Sequence, residues 1–226
     1  MKTLKVIGIG IAGVFGYFTY NVVALANTRG KVDPSLDFSK PRHPVTPEMA
    51  AEVKNLNLKT AKLFKLPNTR GVVTAIGGAG PKPQFVYAIK KGCPCSFDAE
   101  PLMQALYKHF DRQIEFIGVT DAEQKDALKW ESDLRVPYSV VSNPKLEVMQ
   151  EYQFPASVYC SLIDTRGVIV KRWAGYSRSY LAEMNVEMAK LLKQAPKPFD
   201  SKYAPEANTS GCSFEGYKPE FTSPEG

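Results

Sequence analysis

Two cysteines separated by a single proline are the residues of this sequence best suited to covalent chemistry. Cys93, Pro94 and Cys95 follow two lysines, Lys90 and Lys91. A thiol reacts as its thiolate, and both the free amides at a helix start and nearby positive charge favour that form. The pair therefore predicts redox chemistry, with a structural disulfide, a metal clip or two inert thiols as alternatives.

The residues on either side of the pair predict a strand, the thiols and then a helix. Residues 85–89 are apolar and rich in β-forming types. After the cysteines, Leu102, Met103, Leu106 and Phe110 recur at helical spacing. This order places both thiols at the N-terminus of the helix.

The rest of the pattern alternates strands with helices. A hairpin, with its second strand over 72–76, precedes the cysteine strand. A helix capped by Thr120 and Asp121 follows the predicted strand over 114–119. Further strands are predicted over 114–119, 138–141, 158–163 and 168–173, and further helices over 47–53, 145–152 and 181–192. The alternation predicts an α/β sheet covered by helices, with an antiparallel pair of strands at its end.

The first 26 residues predict a targeting element. A short basic start precedes an apolar span over 6–26 that is about long enough to cross a bilayer. Ala24 and Ala26 fit a signal-peptidase site, whereas the length fits an uncleaved membrane anchor, and both interpretations stay open. Either one exports the rest of the chain, so we expect an extracytoplasmic location, on the periplasmic or secreted side, where disulfides are permitted.

Three further segments are expected after the targeting element. Residues 27–47 are rich in proline and predict a linker, with His43 as a surface residue. Residues 48–194 predict the folded domain, and 195–226 an extended or mobile tail. The net charge of +6 is spread among acidic residues, which argues against a nucleic-acid partner. We expect no cofactor.

The motifs Gly92–Ser96, Glu100–Leu102 and Leu162–Ile169 resemble those of the thioredoxin-like fold. More narrowly, residues 48–194 resemble the exported redoxins of the alkyl hydroperoxide reductase/thiol-specific antioxidant superfamily, AhpC/TSA. The resemblance implies a thioredoxin-like mixed sheet flanked by helices, here with an N-terminal β-hairpin extension.

The resemblance also implies roles for the cysteine motif. Alignment on Pro101 puts Cys93 at the nucleophilic position and Ser96 where the second cysteine usually stands, so the second thiol has moved to Cys95. Two cysteines joined through Pro94 close a small ring. Such a disulfide is predicted to be strained and labile, and to oxidise or isomerise clients more readily than it reduces them.

A second departure concerns the strand that faces the nucleophile. Thioredoxin-like proteins usually hold a cis-proline there, and peroxiredoxins often an arginine in this region, where this sequence has Val158, with Pro155 three residues earlier. Peroxiredoxins also favour a threonine three residues before the reactive cysteine, whereas this chain has Lys90 or Gly92. These departures weaken the case for peroxidase activity.

The remaining two cysteines are assigned different roles. Cys160 lies inside a predicted strand and is expected to be a buried, inert thiol. Cys212 lies on the tail and is a candidate resolving cysteine for a mixed disulfide or sulfenic acid at Cys93 or Cys95, with a structural bridge or a free thiol as alternatives.

These features together lead us to expect an extracytoplasmic thiol–disulfide oxidoreductase that acts on protein thiols or disulfides and depends on an unidentified reductant partner. One alternative is an antioxidant thiol peroxidase that acts on peroxide. Another is a metal-binding module, since paired thiolates suit Cu(I). The last is a redoxin-like domain that binds partners without catalysis. A membrane is a partner only if the N-terminal segment stays uncleaved.

Overall fold

The computed structural model describes residues 42–55, 57–199, 201 and 203–218. The predicted targeting element over 1–26 and the predicted linker up to residue 41 lie outside the described residues. In the part of the chain that is described, no helix is long and apolar enough to cross a bilayer.

The helices and strands follow the predicted succession of a hairpin and then alternating elements. In chain order they are α1 (Pro47–Glu52), β1 (Phe64–Pro67), β2 (Val73–Ile76), β3 (Gln84–Ile89), α2 (Pro94–Phe110), β4 (Glu115–Thr120), α3 (Gln124–Leu134), β5 (Ser139–Ser142), α4 (Glu147–Glu151), β6 (Cys160–Ile163), β7 (Ile169–Trp173) and α5 (Arg178–Leu191).

The main sheet has five strands in the order β5-β4-β3-β6-β7. β3, β4 and β5 run parallel, whereas β6 is antiparallel to both β3 and β7. β1 and β2 form a separate antiparallel pair ahead of this sheet. A mixed sheet flanked by helices, with an N-terminal hairpin, confirms the predicted fold class.

The central strand β3 is buried along its whole length. Phe85, Tyr87 and Ile89 enter one apolar cluster and Val86 and Ala88 enter the other, because successive side chains of a strand point to opposite faces. Helix α2 packs on the first of these faces. The cysteine loop therefore follows a strand that is buried along its whole length.

One predicted helix start is wrong. Helix α3 begins at Gln124 with Glu123 as its N-cap, not at Thr120 and Asp121. Thr120 is still the last residue of β4, and the Asp121 carboxylate instead accepts a hydrogen bond of 2.7 Å from the Lys91 amide. This aspartate side chain fastens the cysteine loop rather than a helix.

Strand β6 also begins later than the predicted start at Val158. Val158 has φ +64°, in the left-handed region, so it cannot continue an extended strand. Its amide nevertheless donates to the Ala88 carbonyl over 2.7 Å, which keeps the loop before β6 against the end of β3. The bend brings the preceding residue, Ser157, towards the cysteine loop.

Candidate active site

Cys93 lies at the junction between β3 and α2. It is the N-cap of α2, and Pro94 is the first helical residue, where a missing amide hydrogen costs nothing because that amide has no partner within the helix. Gly92 has φ +72°, a left-handed conformation that turns the chain from the strand into the helix. The Cys93 sulfur is thereby set at the positive end of a 17-residue helix.

Hydrogen-bond donors from three parts of the chain converge on the Cys93 sulfur. The Ser157 hydroxyl donates over 3.3 Å and the Cys212 amide over 3.2 Å. The thiols of Cys95 and Cys212 also donate to it. These hydrogen bonds, with that from Cys95 the largest, hold the pKa of Cys93 well below that of an ordinary thiol although burial opposes the shift. Cys93 is therefore a thiolate at neutral pH.

Cys95, in contrast, is held as the protonated thiol. Its hydrogen bond to Cys93, its burial and the nearby negative charge of Cys93 all raise the pKa of the Cys95 thiol. The same thiol lies 3.4 Å from Nδ1 of His43. The prediction that His43 is only a surface residue is therefore wrong, because the start of the described chain folds back over the cysteines.

The tail crosses the site in an extended conformation. We call residues 208–214 the strap. Its Thr209 exchanges two backbone hydrogen bonds with Tyr176, at 2.8 and 2.9 Å, and its Ser210 amide donates to the His43 carbonyl over 2.7 Å. Further along, the Cys212 carbonyl accepts from the Ser157 amide over 3.0 Å. The strap is thus tied to the domain on both sides of Cys93.

The strap approaches so closely that two glycines are needed for it. A Cβ atom on Gly211 would lie 1.9 Å from the Ser157 hydroxyl oxygen, and one on Gly175 would lie 2.0 Å from the Thr209 carbonyl oxygen. Cys93 and Cys95 each keep only 1% of their surface exposed. The strap therefore lies over the buried Cys93 sulfur.

The two lysines before the motif are engaged by carboxylates. Lys90 Nζ lies 3.6 Å from Asp121 and 3.9 Å from Glu215, while Lys91 Nζ lies 2.6 Å from Asp126. The contacts to the Cys93 sulfur come from thiols, a hydroxyl and an amide instead. Hydrogen bonding, more than lysine charge, stabilises this thiolate.

Two further residues singled out by the sequence stabilise the loops around the site. The buried Ser96 hydroxyl accepts a hydrogen bond of 3.1 Å from the Lys90 amide, which closes the cysteine loop. Cys160 is fully buried, its thiol donates to the Val158 carbonyl over 3.2 Å, and burial raises its pKa. Neither side chain contacts the Cys93 sulfur in a described hydrogen bond.

Proline is not brought to the position opposite the nucleophile. The Pro155 carbonyl accepts from the Phe214 amide over 3.0 Å, so this residue anchors the strap. No peptide bond between described residues is cis. Val158 is fully buried at the expected position, and its neighbour Ser157 supplies the contact to Cys93.

A buried carboxyl lies further along the same helix. Glu100 is fully buried, accepts hydrogen bonds from the hydroxyls of Tyr87 and Tyr138 and receives a third from the Gln104 amide at 3.1 Å. Burial raises the pKa of Glu100 despite these donors. The cluster joins α2 to the sheet beneath it.

The described residues do not form a recognisable metal-binding site. No group of three or more His, Cys, Asp or Glu side chains there is arranged to hold a metal ion. All four cysteines are free thiols.

A thiolate at the N-terminus of a helix, carried on a five-stranded mixed sheet, defines a thioredoxin-like protein with a redoxin type of site. The model of the AhpC/TSA family matches residues 58–172. The chain belongs to the AhpC/TSA family. No curated protein matches the sequence.

Solved structures share the fold at low sequence identity. A conserved protein from Geobacillus kaustophilus, described as uncharacterized, is 18% identical with a TM-score of 0.54, over 71% of this chain and 92% of that one. A Chlorobium tepidum protein, provisionally described as a thiol:disulfide interchange protein DsbE, is also 18% identical with a TM-score of 0.54, over 60% and 97%. A Bacteroides thetaiotaomicron protein, provisionally described as a protein disulfide isomerase, is 17% identical with a TM-score of 0.56, over 61% and 91%.

No sequence pattern identified two residues of the site, Ser157 and His43. Ser157 is one serine among many, and it contacts Cys93 from the position directly before the left-handed residue Val158. His43 is one of two histidines in the sequence. Its place in a proline-rich segment argued for a linker, although a scarce titratable residue is a fair candidate for chemistry wherever it occurs.

Proposed function

We propose that the chain is an extracytoplasmic thiol–disulfide oxidoreductase in which Cys93 attacks and Cys95 resolves. The observation that carries this proposal is the set of donors aimed at the Cys93 sulfur, together with a protonated thiol two residues along the chain. A stabilised thiolate beside a second, protonated thiol is the starting state of a dithiol exchange.

The first step is attack by Cys93 on a client disulfide. The Cys93 thiolate forms a bond to one client sulfur, and the other client sulfur leaves as a thiolate. Attack removes the negative charge from Cys93. The hydrogen bonds that stabilised this charge are weakened at the same time. The low pKa of Cys93 also makes it a good leaving group when another thiol attacks a disulfide that contains it.

The second step is release by Cys95. Cys95 loses its proton, attacks the Cys93 sulfur and displaces the bound client sulfur, which leaves the client with two additional electrons and the protein with a Cys93–Cys95 disulfide. Run in reverse, the same steps transfer the disulfide to a client dithiol. The predicted strain of the Cys-Pro-Cys ring favours this oxidising direction.

The clients we propose are protein thiols and disulfides outside the cytoplasm, with an unidentified partner protein to restore the redox state. The basis for the location is the predicted targeting element over 1–26, either a signal peptide or a membrane anchor. An oxidising compartment suits a protein that exchanges disulfides.

Differential alkylation followed by mass spectrometry tests the proposal. The protein is first treated with oxidised glutathione, the remaining free thiols are blocked, a mild reductant is added, and the newly exposed thiols receive a second label. The second label should appear on Cys93 and Cys95 together, and Cys160→Ser should leave this pattern unchanged because that buried thiol does not contact the pair. Cys93 and Cys95 that never form a bridge with each other would overturn the mechanism.

A thiol peroxidase is the second candidate function, and the contact of Cys212 with the Cys93 sulfur favours it. In that reaction the Cys93 thiolate attacks a peroxide oxygen and becomes a sulfenic acid, while the other oxygen leaves as water or an alcohol. The Cys212 thiol then condenses with the sulfenic acid to form a disulfide and releases water. Rapid consumption of hydrogen peroxide that is lost in Cys93→Ser would support a peroxidase. Slow, stoichiometric oxidation of the protein would rule it out and leave thiol exchange.

A further inference from the structure

The proposed exchange reaction leaves one proton without an obvious acceptor. Cys95 has to lose its thiol proton before it attacks the mixed disulfide, yet 1% exposure keeps solvent water away from this sulfur. The polar side-chain atom placed against it from outside helix α2 is Nδ1 of His43, at 3.4 Å. The two residues are 52 positions apart in the sequence, so the fold, not local geometry, makes this contact.

We propose that His43 is a catalytic residue whose imidazole takes the Cys95 proton as Cys95 attacks the mixed disulfide on Cys93. This inference rests on the proposed exchange function and adds to it the identity of the base.

The step balances in protons and electrons. Nδ1 of neutral His43 accepts the proton, which requires that the imidazole hydrogen sits on Nε2. The Cys95 sulfur then forms a bond to the Cys93 sulfur, the bond between Cys93 and the client sulfur breaks, and the client leaves as a thiolate. The proton on the imidazolium is passed to the departing thiolate or to water. In the reverse direction the same imidazole protonates Cys95 as it leaves.

Removal of the Cys93 charge does not by itself free the Cys95 proton. In the mixed disulfide the Cys93 thiolate is gone, but the burial of Cys95 persists, and burial disfavours the charged thiolate. A base in contact with the sulfur allows attack without first forming a free, buried thiolate.

Five other charged or titratable groups lie around the contact between His43 and Cys95. They are Cys93 and Asp98 on the first part of α2, Tyr176 after β7, Cys212 on the strap and Arg42 beside His43. Of these groups, Asp98 and Arg42 carry opposite charges and interact with each other. Among the described side chains outside α2 and its N-cap, His43 is the one in hydrogen-bond contact with the Cys95 thiol, and an unprotonated Nδ1 is able to accept its proton.

The backbone holds the imidazole in place. The His43 carbonyl accepts from Ser210, and two residues later the Val45 amide donates to the Asn208 carbonyl over 2.9 Å. These contacts use main-chain atoms, so replacement of the imidazole leaves the strap attached. A substitution of His43 therefore tests the side chain alone.

The test isolates the second step in a Cys212→Ser background, where Cys95 is the only thiol able to resolve Cys93. A mixed disulfide between Cys93 and nitrothiobenzoate, a coloured leaving thiol, is formed in acid, where the low pKa of Cys93 still allows attack. A jump to neutral pH then starts release of the colour. His43→Gln is compared with His109→Gln, which removes the other histidine of the sequence, at the far end of α2.

Loss of the base should slow colour release about 100-fold at neutral pH. The difference should shrink as pH rises, because hydroxide then removes the Cys95 proton, whereas His109→Gln should match the background at every pH. Equal rates for the two variants, or a slowing that is the same at all pH values, would overturn the role of His43. Failure of Cys93 to form the mixed disulfide at all would instead overturn the exchange function, and this inference with it.

Discussion

The backbone amide of Cys212 donates a hydrogen bond of 3.2 Å to the sulfur of Cys93, a residue 119 positions away. Because the donor is a main-chain group, the contact does not depend on the oxidation state of the Cys212 thiol. It does depend on the charge of Cys93, since a thiolate accepts a hydrogen bond more strongly than a disulfide sulfur. The strap is thus bound to the reduced form of the site.

Oxidation of the Cys93–Cys95 pair should loosen the strap. Loss of a charge-assisted hydrogen bond removes about 1.5 kcal/mol, which corresponds to roughly tenfold faster opening. Hydrogen exchange read by mass spectrometry should show faster exchange of residues 208–214 after oxidation, while peptides from β1 and β2 keep their rates. Equal protection of the strap in both states would contradict this coupling.

Removal of the Ser157 hydroxyl should raise the pKa of Cys93. The loss of one donor to a charged sulfur is expected to shift the pH profile of Cys93 alkylation upward by about one pH unit. Ser161→Ala is the matched control, because Ser161 is equally buried and its hydroxyl has no hydrogen-bond partner among the described residues. Identical profiles for the two variants would show that Ser157 does not stabilise the thiolate.

Gly211→Ala should uncover Cys93. The new methyl group would overlap the Ser157 hydroxyl oxygen, with 1.9 Å between the two atoms, so the strap must shift outward. Overpacking of this kind costs about 1 to 3 kcal/mol, and we expect Cys93 to be alkylated at least about tenfold faster. Gly80→Ala is the control, since its nearest contact would be an ordinary 3.8 Å. An unchanged alkylation rate in Gly211→Ala would mean that the strap does not limit access.

The buried carboxyl of Glu100 should make stability depend on pH. Burial raises its pKa in the folded state above the ordinary value of 4.5, so the favourable contribution is full below that value and is lost as pH rises through the folded pKa. Glu100→Gln should remove this decline in the free energy of urea unfolding above about pH 4.5.

The matched control for Glu100 is Glu206→Gln, whose side chain is 86% exposed beside Arg178. A surface carboxylate of this kind contributes less than about 1 kcal/mol, so its removal should leave the pH dependence unchanged. If Glu100→Gln and Glu206→Gln have the same stability profile, the buried carboxyl carries no pH dependence.

The strand, cysteine loop and helix could be predicted because their signals are local. Buried positions such as Met103 and Leu106 recur at the spacing of one helix face, and the apolar run of β3 reads as a fully buried strand. Alternation of such segments then limits the fold to a few sheet arrangements. The family resemblance added the prediction that Cys93 attacks first and Cys95 second.

The environment of Cys93 could not be predicted in the same way. Ser157 and the Cys212 amide reach the sulfur from 64 and 119 residues away. A backbone amide leaves no mark in the sequence because every residue except proline has one. The left-handed conformation of Val158 could not be predicted either, since valine rarely adopts a positive φ and the neighbouring residues form no turn motif that requires one.

The most direct test of the central claim, that Cys93 is the nucleophile and Cys95 its partner, is to trap the mixed disulfide. Cys95→Ser, made in a Cys212→Ser background, is treated with oxidised glutathione, and the modified residue is located by peptide mass spectrometry. We expect one stable glutathione adduct on Cys93, whereas the background protein with Cys95 intact should end as an adduct-free Cys93–Cys95 disulfide. Absence of an adduct on Cys93, or an adduct that persists when Cys95 is present, would contradict the proposed mechanism.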